Sequence, residues 1–465
     1  MIVAFLFRIF LKKGRLVLQP FYIKDVLQAT GGTLICGDEN ALISSVSTDS
    51  RTLSEGALFI PIKGERFDGH DFTDKSDMYI SQNTEAIKEG KTIINVSDTI
   101  EAFGAIAKLY KQKYNVPTIS VVGSVGKTTT RDFTASVLSR KYNTLKTDKN
   151  FNNNIGVPIM IFRMEQEHEA AVLELGMSAL GEISYLADIV KPDTVIMTNI
   201  GMSHIENLGS QDNIFKAKME SLENFAGDNT VIANADDKYL CTVESYGDYK
   251  VLFYGVENNR ADVRAVNIKD KGLDGTEFDI LYNTTPYHVR LSTPGVHNVY
   301  NALAAFCAGI VHKVEPEEAV IGLENAQFTA MRMELTEKYG IKIINDCYNA
   351  APSSAKAALE VLSKEVDTRR VAVLGDMLEM GAYAKDAHTR LGKIAAQKAD
   401  VLVCVGTSAA HIAAGADEMK HIYTFKTTEQ AVEMINTIVA PGDTVLLKAS
   451  RGMHFEKLFQ KITEG

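Results

Sequence analysis

The sequence has few residues from which a disulfide or zinc framework could be built. Its five cysteines are odd in number, are scattered along 465 residues, and include no C-x-x-C pair. Such spacing indicates reduced thiols, as in most proteins of a reducing cytoplasm. We therefore expect a cytoplasmic protein with free cysteines.

Long apolar runs and an excess of basic residues are also missing. No stretch reaches about 18 consecutive apolar residues, so no membrane-spanning helix is predicted. The apolar run Ile2–Phe7 is too short for a signal peptide, and no A-x-A cleavage site follows it. The net charge of −10 argues against a nucleic-acid partner, because binding DNA or RNA requires basic surfaces. A small anionic substrate is still compatible, since a few basic groups can dominate one site.

The length and the patterning predict a multidomain α/β protein. A chain of 465 residues is too long for one hydrophobic core, and 45% apolar with 23% charged residues is typical of globular proteins. Beyond Pro117, apolar strand-like runs alternate with helix-length stretches, which predicts βαβ units and mainly parallel sheets. We predict three domains: a small mixed α/β domain over 1–115, a central domain with a mainly parallel sheet over 116–328, and a Rossmann-like domain over 329–465.

Several elements can be placed on the sequence. In the first domain, Leu58–Ile62 is predicted as a strand and "GERFDGHDF" as a loop, and in the central domain Asp274-Gly275 indicates a hairpin. The predicted strands of the two parallel sheets are short apolar runs: "TISVVG", "AAVLEL", "TVIMTNI" and "TVIANA" in the central domain, and "IKIIND", "VAVLGD", "VLVCVG", "HIYTF" and "TVLLKAS" in the third.

The stretch "VVGSVGKTTT" lacks one feature of the usual phosphate-binding signature, G-x-x-x-x-G-K-[ST]. Counting back from Gly126, the first glycine would fall at Val121, whereas Gly123 gives a contracted G-x-x-G-K-T. A predicted strand precedes this loop and a predicted helix, Thr128–Arg140, follows it. Backbone N–H groups at the start of that helix can therefore face an anion, helped by the helix dipole. A glycine-rich turn with a solvated lysine is the structural alternative.

Side chains near this loop suit phosphate and metal binding. Lys127 can reach the β- and γ-phosphates, and Thr128 or Thr129 can bring a hydroxyl to Mg²⁺. Glu174 ends a predicted strand, where its carboxylate could bind Mg²⁺ or simply be solvated. His204 follows another strand and could be a ligand at the same sheet edge or an ordinary packed histidine.

A series of short motifs occurs in order along the chain: "STDSR", "GSVGKTTT", "NFNNNIGVP", "ELGMSALGEI", "TNIGMSHIENLGS", "AKMESLENF", "NADD", "PGVHNVYNALAA", "INDCYNAAPSS" and "LGDMLEMG". With them the chain resembles, from about Ser47 to Arg451, the Mur ligases, ATP-dependent enzymes that form amide bonds in peptidoglycan precursor synthesis. The contracted phosphate loop is the form that this family uses. "GDMLEMG" and "CYNAAP" resemble the branch that adds D-alanyl-D-alanine, and the D-N-P-R motif of the diamino-acid-adding branch is missing from the sequence.

The resemblance implies substrates and cofactors. A UDP-N-acetylmuramoyl-tripeptide would be joined to D-alanyl-D-alanine through an acyl phosphate, with ATP and two Mg²⁺ ions, by a cytoplasmic monomer. The first domain would bind the UDP-sugar, the central domain ATP, and the third domain would complete the nucleotide and acceptor sites. Two alternatives are another Mur-type or folylpolyglutamate-type amide ligase, which "DSR" and "GDMLEMG" disfavour, and a non-catalytic nucleotide-gated scaffold, which the retained Lys127, Glu174 and His204 disfavour.

The resemblance also assigns site residues. The implied catalytic residues are Lys127, Lys218, Glu174 and His204. The implied ATP-binding residues are Gly123, Ser124, Val125, Gly126, Lys127, Thr128, Thr129, Asn298, Asn301, Arg332 and Asp346. The implied substrate-binding residues are Ser47, Thr48, Asp49, Ser50, Arg51, Asn152, Asn153, Asn154, Tyr348 and Asn349. The implied metal ligands are Thr128, Glu174, His204 and a carbamylated Lys218.

Structural alternatives and departures from the family pattern accompany these assignments. "STDSR" could be a turn with a solvated arginine, and the two asparagines of "GVHNVYN" could cap a helix N-terminus. Lys218 suits carbamylation better than Lys216, but it could be an ordinary surface lysine. The departures are Cys347 in place of the usual serine, Ala351 where asparagine is frequent, and Ala449 in place of glycine. They bear on acceptor contacts more than on the reaction.

Two further expectations concern domain motion and the N-terminus. We expect a hinge near Phe328–Arg332, with the third domain swung away in the absence of ligand, because an acyl phosphate must be shielded from water. Met1–Leu18 extends beyond the usual start of the family, and we interpret it as an artefact of start-site assignment.

Overall fold

A computed structural model describes residues 18–19, 21–64, 67–83 and 90–464, so most of the N-terminal extension lies outside the described residues. The chain divides into two compact units. The first comprises Met1–Val116, Asn150–Glu169 and Asp188–Lys191, and the second comprises Pro117–Lys149, Ala170–Ala187 and Pro192–Gly465. The predicted domain boundaries after residues 115 and 328 stay predictions. The predicted domains were continuous segments, whereas the first unit also contains Asn150–Glu169 and Asp188–Lys191 from later in the chain.

The elements are numbered in chain order. The strands are β1 Thr33–Cys36, β2 Ser45–Ser47, β3 Ala57–Phe59, β4 Met78–Ser81, β5 Thr92–Asn95, β6 Thr118–Val122, β7 Thr144–Lys146, β8 Ala170–Glu174, β9 Thr194–Met197, β10 Thr230–Asn234, β11 Lys250–Gly255, β12 Val263–Asp270, β13 Thr276–Tyr282, β14 Thr285–Leu291, β15 Glu334–Lys338, β16 Ile341–Asn345, β17 Arg369–Gly375, β18 Val401–Val405, β19 Ile422–Phe425 and β20 Asp443–Lys448. The described α-helices are α1 Ile23–Thr30, α2 Thr99–Lys111, α3 Lys127–Leu138, α4 Gly156–Ile161, α5 Glu182–Val190, α6 Ile205–Leu208, α7 Gln211–Met219, α8 Val296–Val311, α9 Pro316–Glu324, α10 Pro352–Leu362, α11 Ala384–Lys398, α12 Ala409–Gly415, α13 Thr428–Ile438 and α14 Glu456–Glu464.

The first unit contains a five-stranded mixed sheet of order β1-β5-β4-β3-β2, in which β1 and β5 are antiparallel. β3 is shorter than the predicted strand Leu58–Ile62, because Pro61 has no N–H with which to extend the pairing. Part of the predicted loop that follows forms a 3₁₀ helix over Gly69–Lys75, which the side chain of Asp68 caps. Two residues of that loop lie outside the described part of the chain.

The second unit contains a nine-stranded sheet of order β14-β13-β12-β11-β10-β9-β6-β8-β7, parallel from β7 to β12. The four predicted central strands are confirmed as β6, β8, β9 and β10. The predicted hairpin is the antiparallel pair β12–β13, and Gly275 is required there: its φ is 97°, and a Cβ would lie 2.0 Å from the carbonyl oxygen of Leu291. Because β6 lies between β8 and β9, the loops after these three strands meet at one sheet edge.

The core of this unit lies between the sheet and a helix layer. The predicted helix Thr128–Arg140 is confirmed as α3 and ends two residues earlier than predicted. Phe133 on α3 and Val299, Leu303 and Phe306 on α8 are each fully buried in one apolar cluster. α8 is apolar on almost every side, as expected of a helix enclosed by protein.

A second, six-stranded sheet in this unit has the order β15-β16-β20-β17-β18-β19. Its strands are parallel except for the edge strand β15, which is antiparallel to β16. All five strands predicted for the third domain are confirmed as β16 to β20. β15 was not predicted, because its sequence "ELTEK" is polar and largely exposed along an antiparallel edge. The predicted fold class, with a mixed sheet, a mainly parallel sheet carrying the phosphate loop and a Rossmann-like sheet, is therefore confirmed.

Among the residues that the structure describes, no helix combines the length and the apolar character needed to cross a bilayer.

Candidate functional site

The contracted phosphate loop joins the carboxyl end of β6 to the start of α3. Gly123 has a φ of 152° and Gly126 a φ of 83°. A Cβ on Gly123 would lie 1.9 Å from Oγ1 of Thr198, and a Cβ on Gly126 would lie 2.6 Å from Oδ1 of Asn301. Both positions therefore require glycine. Among the described residues no side chain caps α3, so the first N–H groups of this helix are available to an anion.

The segment after β9 holds the loop in place. Asn199 brackets Val125: its Oδ1 accepts from the backbone N–H of Val125 at 3.1 Å, and its Nδ2 donates to the carbonyl of Val125 at 3.0 Å. Thr198 Oγ1 donates to the same carbonyl at 2.7 Å, and Ser124 Oγ accepts from the N–H of Gly201 at 2.8 Å. Sequence reasoning missed Thr198 and Asn199. Their position directly after a strand next to β6 was the signal that could have revealed them.

Thr128 connects an acidic and a basic side chain beside the loop. Its Oγ1 donates to Glu174 Oε2 at 2.9 Å and accepts from Arg332 Nη2 at 3.0 Å. Lys127 Nζ donates to the carbonyl of Gly123 at 2.8 Å. Burial lowers the pKa of Lys127, and the positive Arg332 lowers it further, while Glu174 opposes the shift. The structure therefore gathers four of the predicted phosphate-site side chains, and Thr129 lies on the same turn of α3.

His204 pairs with an acidic residue of the "GDMLEMG" loop. Its Nδ1 lies 2.5 Å from Oε2 of Glu379, and the N–H of Glu206 donates to the carbonyl of Glu379 at 3.1 Å. Both His204 and Glu379 have left-handed backbones, with φ of 63° and 61°. The hydrogen bond from His204 lowers the pKa of Glu379 against the effect of burial. This contact and the Arg332–Thr128 bond join the two sheets of the second unit near the loop. That the third domain swings away in solution when no ligand is bound stays a prediction.

Lys218 lies on α7 with only 3% of its surface exposed, whereas Lys216 on the same helix is exposed. Burial moves the pKa of Lys218 well below its ordinary value, and repulsion by Lys127 adds to the shift. The alternative that Lys218 is an ordinary surface lysine is therefore wrong, although carbamylation itself stays a prediction.

The donor set near the loop suits Mg²⁺. Among the described residues, no three histidine, cysteine or acidic side chains group closely enough to enclose a metal. Mg²⁺ rarely needs such a group, since it usually takes one or two carboxylates together with phosphate oxygens and water. The Thr128–Glu174 pair fits this mode, because it places one hydroxyl and one carboxylate beside the N-terminus of α3.

Two buried asparagines connect α8 to the phosphate-loop helix. Thr130 Oγ1 donates to Asn301 Oδ1 at 3.0 Å, and Asn301 Nδ2 donates to Asn298 Oδ1 at 3.0 Å. Asn298 Nδ2 in turn donates to the carbonyl of Pro294 at 2.8 Å. The alternative that one of them caps α8 is wrong, because the N-cap is Gly295 and, within the described part of the chain, no side chain caps the helix start. Their observed role is to tie two helices together beside the loop.

Two of the residues predicted for the third domain, Asp346 and Asn349, contact a buried lysine, and Tyr348 packs against Arg332. Lys448 Nζ lies 2.6 Å from Asp346 Oδ2 and donates to the carbonyl of Asn349 at 2.7 Å. The guanidinium of Arg332 lies over the ring of Tyr348, 4.0 Å from its centroid, a cation–π contact. Sequence reasoning missed Lys448, although a lysine ending the apolar strand "TVLLK" was a visible signal.

The structure shows the surroundings of the three residues that depart from the family pattern. Cys347 Sγ donates to Asn345 Oδ1 at 3.0 Å, and burial raises the pKa of this thiol to about 12. Ala351 is the N-cap of α10 and provides no side-chain bond, so the cap that asparagine would supply is lost. Ala449 is fully buried against Gly375, where a Cβ would lie only 2.7 Å from that of Ala449.

The "STDSR" motif forms a tight turn in the first unit. Arg51 makes a two-pronged contact with Asp49, with Nε–Oδ1 at 2.8 Å and Nη2–Oδ2 at 2.7 Å. Ser47 Oγ accepts from the N–H of Asp49 at 3.0 Å, and Thr48 and Ser50 complete the turn. Arg51's hydrogen bonds lower the pKa of Asp49 to about 2, although the Arg51 side chain is 83% exposed. This is the geometry of a turn with a solvated arginine, and a role in substrate binding stays a prediction.

Asn152, Asn153 and Asn154 lie in the first unit and precede α4. Asn153 Oδ1 accepts from the N–H groups of Ile155 and Gly156 at 3.3 and 2.8 Å, which starts the helix. Asn154 is exposed beside it. Asn153 therefore has a local structural role, and substrate contacts of the three asparagines stay a prediction.

Three family models match the chain in sequence. The Mur ligase family catalytic domain matches residues 42–111, the Mur ligase middle domain matches 121–309, and the Mur ligase glutamate ligase domain matches 331–451. Together they span most of the described chain, and the middle-domain match begins at the phosphate loop.

Individual relatives match over nearly the full length. A curated Bacillus subtilis protein named UDP-N-acetylmuramoyl-tripeptide--D-alanyl-D-alanine ligase is 36% identical over 463 residues, covering 95% of this chain and 98% of that protein. A crystal structure of MurF from Acinetobacter baumannii has a TM-score of 0.88 at 31% identity, covering 96% of this chain and all of that chain. A MurF ligase from Thermotoga maritima in complex with ADP has a TM-score of 0.80 at 26% identity, covering 90% and 97%. The matches in sequence and fold, together with the phosphate loop, show that the chain belongs to the Mur ligase family.

Proposed function

We propose that this chain joins D-alanyl-D-alanine to UDP-N-acetylmuramoyl-tripeptide in peptidoglycan precursor synthesis, with conversion of ATP to ADP and phosphate. Membership of the Mur ligase family makes the chain an ATP-dependent ligase. The observation that carries the choice of substrates is the full-length similarity to the Bacillus subtilis protein of that name. The arrangement around Thr128 supports it with a site suited to a nucleoside triphosphate.

The phosphate loop would hold the ATP phosphates. The uncapped N-terminus of α3 directs backbone N–H groups to an anion, and Lys127 supplies a positive charge from the same turn. Arg332 reaches this turn from the segment before β15 and would neutralise charge on the transferring group. Asn298 and Asn301 would border the adenine region, and Asp346 would contact the nucleotide from the third sheet.

The chemistry requires activation of a carboxylate, which is a poor acyl donor. An oxygen of the tripeptide carboxylate attacks the γ-phosphorus of ATP, and the bond to ADP breaks. The amine of D-alanyl-D-alanine then attacks the carbonyl carbon of the acyl phosphate, phosphate leaves, and an amide forms with loss of a proton. The residues act mainly by positioning and by charge neutralisation, and closure of the site excludes water from the acyl phosphate.

We propose Thr128, Glu174, His204 and a carbamylated Lys218 as the residues that would hold Mg²⁺. Mg²⁺, when bound, offsets the negative charge that grows on phosphoryl oxygens. Lys218 is buried near the positive Lys127, an environment that favours a neutral amine. The nitrogen of a neutral amine can attack the carbon of carbon dioxide and lose one proton to solvent, and the resulting anionic carbamate would replace repulsion of Lys127 with attraction.

Further residues of the chain would bind the two substrates. We propose that Ser47, Asp49, Ser50 and Arg51 bind the UDP end of the nucleotide sugar, that Asn152, Asn153 and Asn154 contribute to the same substrate, and that Tyr348 and Asn349 border the acceptor. The exposed guanidinium of Arg51 could rotate toward a diphosphate. This would break its ion pair with Asp49, which contributes little stability because it is exposed to solvent. We also propose a cytoplasmic, monomeric enzyme.

Co-substrate dependence tests the proposal. Purified protein is given ATP, Mg²⁺, D-alanyl-D-alanine and UDP-N-acetylmuramoyl-tripeptide carrying either meso-diaminopimelate or L-lysine, and ADP release is followed. We expect ADP only when the nucleotide sugar and the dipeptide are both present, and a preference for one tripeptide. ADP release with L-glutamate in place of the dipeptide, or with no acceptor, would contradict the assignment.

A further inference from the structure

Two buried charged residues follow the phosphate loop on α3. Arg131 and Asp132 each have only 1% of their surface exposed. Arg131 donates from Nη2 and Nε to Asp132 Oδ1, at 2.7 and 3.2 Å, and Lys146 Nζ on β7 donates to the same oxygen at 2.8 Å. Burying ions is unfavourable unless their partners compensate for lost hydration. A buried pair so close to a phosphate loop therefore requires an explanation beyond stability.

Arg131 and Asp132 also hydrogen-bond the segment that connects the two sheets of the second unit. Asp132 Oδ2 accepts from the backbone N–H of Thr329 at 2.9 Å and from its hydroxyl at 3.0 Å. Arg131 Nη2 donates to the same hydroxyl at 2.6 Å. Thr329 lies between the end of α9 and the start of β15. Three hydrogen bonds thus fix one residue of the connecting segment to the phosphate-loop helix.

The contacts continue into the phosphate site. Arg131 Nη1 lies 3.7 Å from Oε2 of Glu174, which accepts from Thr128, and Thr128 accepts from Arg332. Arg332 is three residues beyond Thr329 in the chain. The chain of contacts thus starts at Thr329 and ends at Arg332, both in the connecting segment. The bonds at Thr329 therefore fix the position from which Arg332 reaches the loop.

We propose that Arg131 and Asp132 are positioning residues: they clamp the connecting segment at Thr329 and thereby place Arg332 on the phosphate loop for ATP binding. This inference rests on the proposed function, since it assumes that the loop binds ATP. Any swing of the third domain then takes place after Thr329. Met331 and Met333 have left-handed backbones with φ of 62° and 50°, which marks the segment beyond the clamp as the place where the chain turns.

A double-mutant cycle tests the clamp without the ligation reaction. Thr329→Val keeps the shape of the side chain but removes the hydroxyl, and Arg332→Ala removes the group that the clamp is proposed to place. Affinity for a non-hydrolysable ATP analogue with Mg²⁺ is measured by calorimetry in the four proteins. We expect Thr329→Val to weaken binding roughly tenfold, the size of one lost charge-assisted contact, and to have less than about a twofold effect once Arg332 is absent.

Control variants separate positioning from general destabilisation. Thr134→Val removes another buried hydroxyl of α3, which donates to the carbonyl of Thr130 on the same helix, and should leave affinity unchanged. Thr329→Ser retains the hydroxyl and should restore binding. Asp132→Asn, of equal volume, serves as a second perturbation of the clamp if Thr329→Val does not fold.

The outcomes distinguish this inference from the function on which it rests. Equal losses from Thr329→Val with and without Arg332, or an equal loss in Thr134→Val, would overturn the clamp. If Asp132→Asn is used instead, its effect on affinity must likewise disappear in the Arg332→Ala background, and an equal loss in both backgrounds would overturn the clamp. A wild-type protein that fails to bind the analogue would instead contradict the proposed phosphate site.

Discussion

Gly126 provides a sharp test of the phosphate loop, because two separate physical effects oppose any side chain there. Its φ of 83° lies in the left-handed region, where alanine costs about 1–2 kcal/mol. The new Cβ would also lie 2.6 Å from Asn301 Oδ1, which accepts from the hydroxyl of Thr130. Displacing Asn301 leaves buried polar groups without partners, at about 1–3 kcal/mol. Gly126→Ala should therefore destabilise the loop by roughly 2–5 kcal/mol in total.

Gly442→Ala is the matched control, since Gly442 has a φ of 94° but no atom within 4 Å of the position of a Cβ. It carries the backbone strain without the steric contact. We expect Gly126→Ala to weaken binding of ADP by at least about tenfold by calorimetry, because 1.4 kcal/mol corresponds to a factor of ten. Gly442→Ala should bind as the wild type does. Normal ADP affinity in Gly126→Ala, or an equal loss in both variants, would refute this account of the loop.

Three further predictions address the two lysines proposed for the phosphate site and the thiols, and a fourth addresses domain motion. Lys127→Ala should lower turnover by on the order of 10²- to 10³-fold with an unchanged circular dichroism spectrum, and normal turnover at saturating ATP would remove Lys127 from the mechanism. Lys218→Ala should lose activity and regain part of it with formate or acetate, while Lys216→Ala, at an exposed position on the same helix, should stay active; no rescue would count against a carbamate. At pH 8, iodoacetamide should label Cys241 and spare Cys347 and Cys404 in peptide mass maps, because burial raises the pKa of both latter thiols to about 12 and only thiolates react. Since a raised pKa keeps a thiol protonated, labelling of Cys347 in the native protein at this pH would contradict its burial. Small-angle scattering should show compaction on addition of an ATP analogue with the nucleotide sugar, whereas identical compact profiles would argue against hinge closure.

The parallel sheets could be predicted because their strands are enclosed by protein on both faces. Runs such as "AAVLEL" and "VLVCVG" are continuous and apolar, and every residue of the resulting β8 and β18 is buried. The edge strand β15 gave no comparable signal. β15 is polar and mostly exposed, so its pairing depends on a neighbour, β16, that a local pattern does not contain.

The phosphate site was predictable only in part, for a similar reason. Gly123, Gly126 and Lys127 lie together in the sequence, and their spacing has a direct physical meaning. Asn199, which brackets the loop, comes from a different strand and has no motif of its own. Its role depends on β9 lying next to β6, which only the sheet order reveals.

The buried pairs were hidden because their sequence patterns are ambiguous. Arg131-Asp132 on a helix normally indicates a solvated face, yet both side chains are buried and bond Thr329, far along the chain. Lys448 and Asp346 likewise meet only when β20 pairs with β16. Long-range contacts of polar residues therefore account for most of what the sequence left open.

The fate of one oxygen atom tests the central claim most directly. UDP-N-acetylmuramoyl-tripeptide labelled with ¹⁸O in its terminal carboxylate is converted with ATP and D-alanyl-D-alanine, and the product and the released phosphate are analysed by mass spectrometry. The account predicts a nucleotide sugar extended by one D-alanyl-D-alanine unit and phosphate that carries one ¹⁸O, because the acyl phosphate transfers that atom to the leaving group. Unlabelled phosphate, or ATP consumption without the extended product, would contradict it.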